Sequence, residues 1–157
     1  MVANTDIQTP QTTMFLGMHR FKWLAPEAST NGSFSCADIT VRAGGEPPPH
    51  THTREGQAFL LPEGEVTFRV GDRVIRTRPG DFLWAPRNVE HAFELHTPSA
   101  RMIEMSTPGG LENAFLALSR PALDDEPLPE LQGPPPAEAI EALVSKFGEY
   151  GISFSMP

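Results

Sequence analysis

The stretch GGEPPPHTHTREGQAFLLPEG, residues 44–64, decides the reading of this chain. At its centre His50 and His52 stand two residues apart. On an extended strand, side chains at i and i+2 share a face, so both imidazoles can converge on one ion. Three consecutive prolines, Pro47 to Pro49, lack the amide donors of a central strand and deliver the chain stiffly to His50. A carboxylate is expected a few residues on to complete a metal site. Glu55 falls slightly early, and the best-placed position holds Gln57, an amide. QAFLL (57–61) then reads as a strand and PEGE (62–65) as a turn.

Working outward, short apolar runs alternate with turn residues. MFLGMHRFKWL (14–24) reads as one or two strands, TNGS (30–33) as a tight turn, and FSCADITV (34–41) as a strand. VTFRV (66–70) and RVIRTR (73–78) form a hairpin around Gly71 and Asp72, and FLWAP (82–86), HAFEL (91–95) and ARMIEMS (100–106) follow. About eight or nine short strands at hairpin spacing imply an all-β sandwich or barrel. The character changes after TPGG (107–110). LENAFLALS (111–119) reads as a helix, RPALDDEPLPELQGPPP (120–136) as a proline-rich loop or wrap, and AEAIEALVSKFG (137–148) as an amphipathic helix. In that last helix Ile140, Leu143, Val144 and Phe147 share one side, and Gly148 is placed to end it. Both helices are expected to pack on the barrel or on a partner subunit. The domain reading is a polar tail or arm at 1–13, a β-barrel at 14–108, and a helical, proline-rich extension at 109–157 packed on the barrel.

The 157 residues suit one domain with a sizeable core. Apolar residues at 39% and charged residues at 20% describe a soluble globular chain. A net charge of −8 argues against a broad nucleic-acid surface, which needs a basic face. No apolar run approaches a membrane span, and the start MVANTDIQTPQTT lacks the features of a secretory signal. Cys36 is the one cysteine, so no intrachain disulfide forms. A cytoplasmic home is the expectation.

A third histidine from a neighbouring strand would complete a facial set with His50 and His52. His91 is the candidate, because its strand alternation groups it with Phe93 and Leu95. Neutral imidazoles with an oxygen donor suit iron, nickel, manganese, cobalt, copper or zinc.

These residues resemble the cupin superfamily. Its first motif, G-x5-H-x-H-x(3,4)-E-x6-G, is matched by Gly44, His50, His52, position 57 and Gly64. Its second, G-x5-P-x-G-x2-H-x3-N, is matched by Gly80, Pro86 and His91. The wider chain resembles small single-domain cupins similar to quercetin dioxygenases. The resemblance implies a cupin-type jelly roll, a double-stranded β-helix barrel, with C-terminal α-helices. It also implies a homodimer and one divalent transition metal ion on His50, His52 and His91. Three positions depart from the pattern: Asn88 replaces a glycine, Leu95 replaces the final asparagine, and Gln57 replaces the glutamate ligand.

An amide neither cancels charge on the ion nor takes a proton, but its carbonyl oxygen can coordinate and its NH2 can donate. Gln57 is therefore a weak fourth ligand or a substrate hydrogen-bond donor. Glu55 substitutes for the missing acid only if the chain kinks between 52 and 57, which Gly56 would permit. Glu104 interrupts an apolar strand. It is a candidate base if it faces the cavity, and a solvated acid if it faces outward. His19 and His96 read as ordinary surface or core histidines, and Cys36 as a small core residue. Phe59, Leu61, Phe68, Phe82, Trp84, Phe93 and Met102 are available as core or pocket walls.

The expected function is a metal-dependent enzyme on a small phenolic or enolic molecule, a quercetinase-like dioxygenase with O2 as co-substrate. The alternatives are a non-oxidative Lewis-acid isomerase, cyclase or lyase, and a non-catalytic small-molecule-binding cupin.

Overall fold

A computed structural model describes residues 12–15, 18–123, 126–130 and 133–155. Most of the polar arm expected at 1–13 lies outside the described residues. The strands are β1 (Thr12–Phe15), β2 (His19–Ala25), β3 (Ser35–Arg42), β4 (His50–His52), β5 (Gly56–Glu63) and β6 (Val66–Val70). They continue as β7 (Arg73–Thr77), β8 (Phe82–Ala85), β9 (His91–Leu95), β10 (Ser99–Thr107), β11 (Arg120–Pro121) and β12 (Ile152–Phe154). Two helices, α1 (Glu112–Leu116) and α2 (Ala137–Glu149), lie in the C-terminal part.

The strands form two antiparallel sheets, the architecture expected of a jelly roll. One runs β11-β1-β2-β3-β10-β5-β8 and the other β12-β4-β9-β6-β7. Alternation sets the inner faces. β3 turns Ala37, Ile39 and Val41 inward, β6 turns Val66, Phe68 and Val70 inward, and β10 turns Ala100 and Met102 inward. The core between the sheets is apolar, with Phe21, Leu61 and Phe68 each about 1% exposed.

Turn chemistry behaves as the sequence implies at two places. Asn31 and Gly32 both take positive φ in the turn before β3, and Asn88 takes φ 62° where the motif has glycine. The C-terminal part departs from expectation. The first helix is limited to Glu112–Leu116, well short of 111–119. The second runs through Gly148 to Glu149, and Gly151 takes the left-handed position, φ 82°. The chain then returns as β12, which pairs with β4 through Ile152↔His52 and Phe154↔His50. That three-residue strand was not expected. Cys36 occupies the outward face of β3, half-buried, and is not a core residue.

Candidate metal centre

Strand parity and pairing bring the three histidines together. His50 and His52 both point inward from β4, with Thr51 between them turned away. His91 opens β9 directly opposite His50 in the sheet register. The ring centroids of His50 and His91 are 4.5 Å apart, and one ligand nitrogen from each of the three residues lies within 4.8 Å of the others. All three side chains are buried.

Each ring is held from behind. His50 Nδ1 donates to the carbonyl of Pro48 at 2.9 Å, and His91 Nδ1 to that of Val89 at 3.1 Å. His52 Nδ1 donates to the Glu55 carboxylate at 2.7 Å. With Nδ1 carrying the proton, each Nε2 presents a lone pair to the centre. That tautomer is the one that metal-ligating histidines adopt, fixed by the acceptor behind the ring. His52 Nε2 is buried with no hydrogen-bond partner. A buried, unpartnered lone pair beside two more imidazoles is the environment a divalent cation satisfies.

Electrostatics agree. Burial, with the neighbouring His91 and His52, lowers the pKa of His50 to about 3. Burial likewise lowers that of His91 to about 4. Both rings are therefore neutral at physiological pH, the form that binds metal.

Gln57 points inward from β5, and its Oε1 lies 2.8 Å from His91 Nε2. Its Nε2 donates to Glu104 Oε1 at 3.1 Å. Glu104 occurs on the inward face of β10 with Met102 and Ser106, and is 3% exposed. The register explains the contact: Gln57 pairs with Ser106 and Glu104 with Phe59, so the two polar side chains are diagonal neighbours on one face. Burial raises the pKa of Glu104 to about 8, against the lowering effect of the Gln57 hydrogen bond.

Glu55 is buried behind His52, reaching it because the chain bends after β4. Gly56 lacks the left-handed backbone that would motivate a glycine there. Its lack of a side chain instead makes room for the Trp84 ring, which a Cβ at that position would meet at 2.5 Å. His96 is exposed and hydrogen-bonded to Thr67 Oγ1 at 2.7 Å, away from the centre. His19 is buried, with its pKa lowered to about 4 by burial. The orienting carbonyls of Pro48 and Val89 were missed by reading side chains alone, although the rigid proline run at 47–49 is the signal that fixes one of them.

The centre opens into a cavity of about 340 Å3. Phe59, Phe93 and Met102 line it from the barrel, and Ile140, Leu143 and Val144 from α2. The arrangement is a cluster of lone pairs in a predominantly apolar cavity.

The Cupin domain family model matches residues 37–105, the segment holding His50, His52, Gln57, His91 and Glu104. Residues 37–105 carry a cupin domain. Among curated relatives, this chain is 29% identical over 104 residues to quercetin 2,3-dioxygenase of Bacillus subtilis (strain 168), covering 66% of this chain and 30% of that protein. It is 32% identical over 81 residues to quercetin 2,3-dioxygenase of Aspergillus japonicus, covering 48% of this chain and 23% of that one. The chain thus spans less than a third of the length of either relative. Among solved structures, KdgF from Halomonas sp. superposes with a TM-score of 0.56 at 19% identity, over 62% of this chain and 86% of its own. That likeness is one of fold. The helix α2 and strand β12 lie outside the matched domain.

Proposed function

We propose that this cupin is a metal-dependent enzyme acting on a small phenolic or enolic molecule, a dioxygenase of the quercetinase-like type with O2 as co-substrate. The observation that carries the reading is the convergence of three back-bonded imidazoles on one buried point at the end of an apolar cavity. His50, His52 and His91 would hold one divalent transition metal ion, with the Gln57 carbonyl oxygen as fourth donor. Bound there, the ion supplies Lewis acidity that lowers the pKa of a substrate hydroxyl and a place for O2 beside it. The remaining work falls to the chain. Glu55 holds the tautomer of His52, Gln57 orients the substrate oxygen, and Glu104 holds the Gln57 amide in place by accepting from its NH2. The apolar walls give the organic body of the substrate a surface to pack on.

One observation favours a second reading. The amide at position 57 leaves the ion's full charge uncompensated among the ligands, and a more acidic centre suits a non-oxidative isomerase, cyclase or lyase that stabilises an enolate. Oxygen consumption by metal-loaded protein across a panel of flavonols and catechols tests the first reading. Product formation under argon at the aerobic rate would overturn it in favour of the second.

A homodimer and a cytoplasmic home belong to the same proposal. Leu60, Phe82, Trp84 and Met105 are 37–65% exposed, and the register brings them together on the outer face of the larger sheet. A second copy covering that face would remove the apolar patch from water. Light scattering on wild type and on a Phe82→Glu/Trp84→Glu double variant tests this, with dimer and monomer the respective expectations.

A further inference from the structure

The cavity joins a polar end to an apolar body, and the two come from different parts of the chain. The polar end belongs to the cupin domain. Part of the apolar wall is α2, which presents Ile140, Leu143, Val144 and Phe147 as one i, i+3, i+4, i+7 stripe.

Ring contacts tie this helix to the centre. Phe147 is buried and packs edge-on against Phe154 of β12 at 5.6 Å. The Phe154 ring in turn lies 5.7 Å from that of His50, its cross-strand partner. Phe147 also packs on Phe115 of α1 at 5.4 Å. The helix is thereby set at a fixed distance from the ligand histidines. Ile140, Leu143 and Val144 remain only partly buried while facing the cavity, so their apolar surface awaits a partner.

The wall is also informative in what it withholds. Among the described residues that line the cavity there is no Lys, Arg, Ser, Thr, Tyr or Asn. Besides the groups of the centre, the polar side chains are Glu46 and His19. Glu46 already accepts from the backbone amides of Gly44 at 2.7 Å and Leu95 at 3.0 Å, and His19 is hydrogen-bonded to the Gly45 backbone. An anionic far end would lose its water and find no side-chain donor among these residues. The Glu46 carboxylate on the wall repels an anion further.

Size narrows the class. An apolar cavity of about 150 Å3 accommodates benzene, so about 340 Å3 has room for roughly two such rings. Resting on the metal-site reading above, we infer that α2 is the specificity wall of this site. It selects a ligand of about two rings with one oxygen-chelating end and an uncharged, apolar far end. Ligands bearing carboxylate, sulfonate or phosphate away from the chelating oxygens are excluded.

The test is calorimetric binding to full-length protein reconstituted with zinc, a redox-silent ion, so that no turnover intervenes. The probes are catechol, 2,3-dihydroxynaphthalene and 2,3-dihydroxynaphthalene-6-sulfonate, which share the chelating end and differ beyond it. The expected order has dihydroxynaphthalene at least tenfold tighter than catechol and at least tenfold tighter than its sulfonate. Leu143→Ala should weaken dihydroxynaphthalene threefold or more and leave catechol unchanged. Leu143→Arg should bring the sulfonate within threefold of its parent; if it does not fold, Leu143→Ala carries the test. Equal binding of sulfonate and parent, or no effect of Leu143→Ala on any probe, overturns the inference about α2 while catechol binding leaves the metal reading standing. Failure of all three probes to bind zinc-loaded protein overturns both.

Discussion

His91 Nε2 and Gln57 Oε1 face each other at 2.8 Å while His91 Nδ1 donates to the Val89 carbonyl. With the proton on Nδ1, both facing atoms are acceptors. Two lone pairs this close repel unless a cation draws on both. The ion proposed above would draw on both lone pairs at once. The amide is held in this orientation by its NH2, which donates to Glu104. On the proposed reading, residue 57 would set the charge beside the ion. Gln57→Glu restores a carboxylate beside the ion, and the expected outcome is at least tenfold tighter metal retention in a chelator competition. Unchanged affinity would place residue 57 outside the reach of the ion.

Glu55 acts through His52. Removing the acceptor behind a ligating imidazole frees its tautomer and typically costs about 10- to 100-fold in metal affinity. Glu55→Ala should show a loss of that size, with His50 and His91 still in place. Glu55→Gln keeps an acceptor oxygen for Nδ1 and should recover most of it.

Glu104 gives the metal-free protein a pH signature. Its folded pKa of about 8 lies above the ordinary carboxyl value of 4.5. Between these two values the unfolded chain releases a proton that the folded protein keeps. This favours unfolding increasingly as pH rises from about 4.5 to about 8. Glu104→Gln removes the titration while leaving an oxygen to accept from Gln57. In metal-free protein the variant should melt several degrees above wild type at pH 8, and the difference should shrink towards zero at pH 4.5. A gap that stays constant with pH would contradict the neutral buried acid.

Gly151 connects α2 to the strand that backs the centre. Its φ of 82° favours glycine, and a Cβ there would meet Thr53 Oγ1 at 2.5 Å. The Thr53 amide also donates to the Gly151 carbonyl at 2.9 Å. Gly151→Ala should destabilise the fold by about 1–3 kcal/mol, seen as a lower Tm. Because β12 pairs with β4, it should also loosen metal retention, whereas a matching Gly133→Ala change has open space around it and should affect only stability.

The centre was readable in the sequence because its logic is local. Strand parity alone puts His50 and His52 on one face, while His91 and position 57 were singled out by their places in the cupin motifs that the chain resembles. Glu104 was ambiguous for a physical reason. In ARMIEMS both phases of the alternation are apolar, Met102 against Ile103 and Met105, so period two cannot say which phase faces in. Pairing with β5 decides it. The strand β12 was invisible, since three residues cannot show a period. The stripe on α2 was plain, yet nothing in the sequence told that it borders a cavity. That depends on β12 returning alongside β4, a contact about a hundred residues away in the chain.

The most direct test of the account is the metal content of purified full-length protein, measured by elemental mass spectrometry beside a His50→Ala/His91→Ala double variant. The account predicts close to one transition metal ion per chain in the wild type and none in the variant. Wild-type protein that stays metal-free even after reconstitution with iron, nickel, manganese, cobalt, copper and zinc would contradict it.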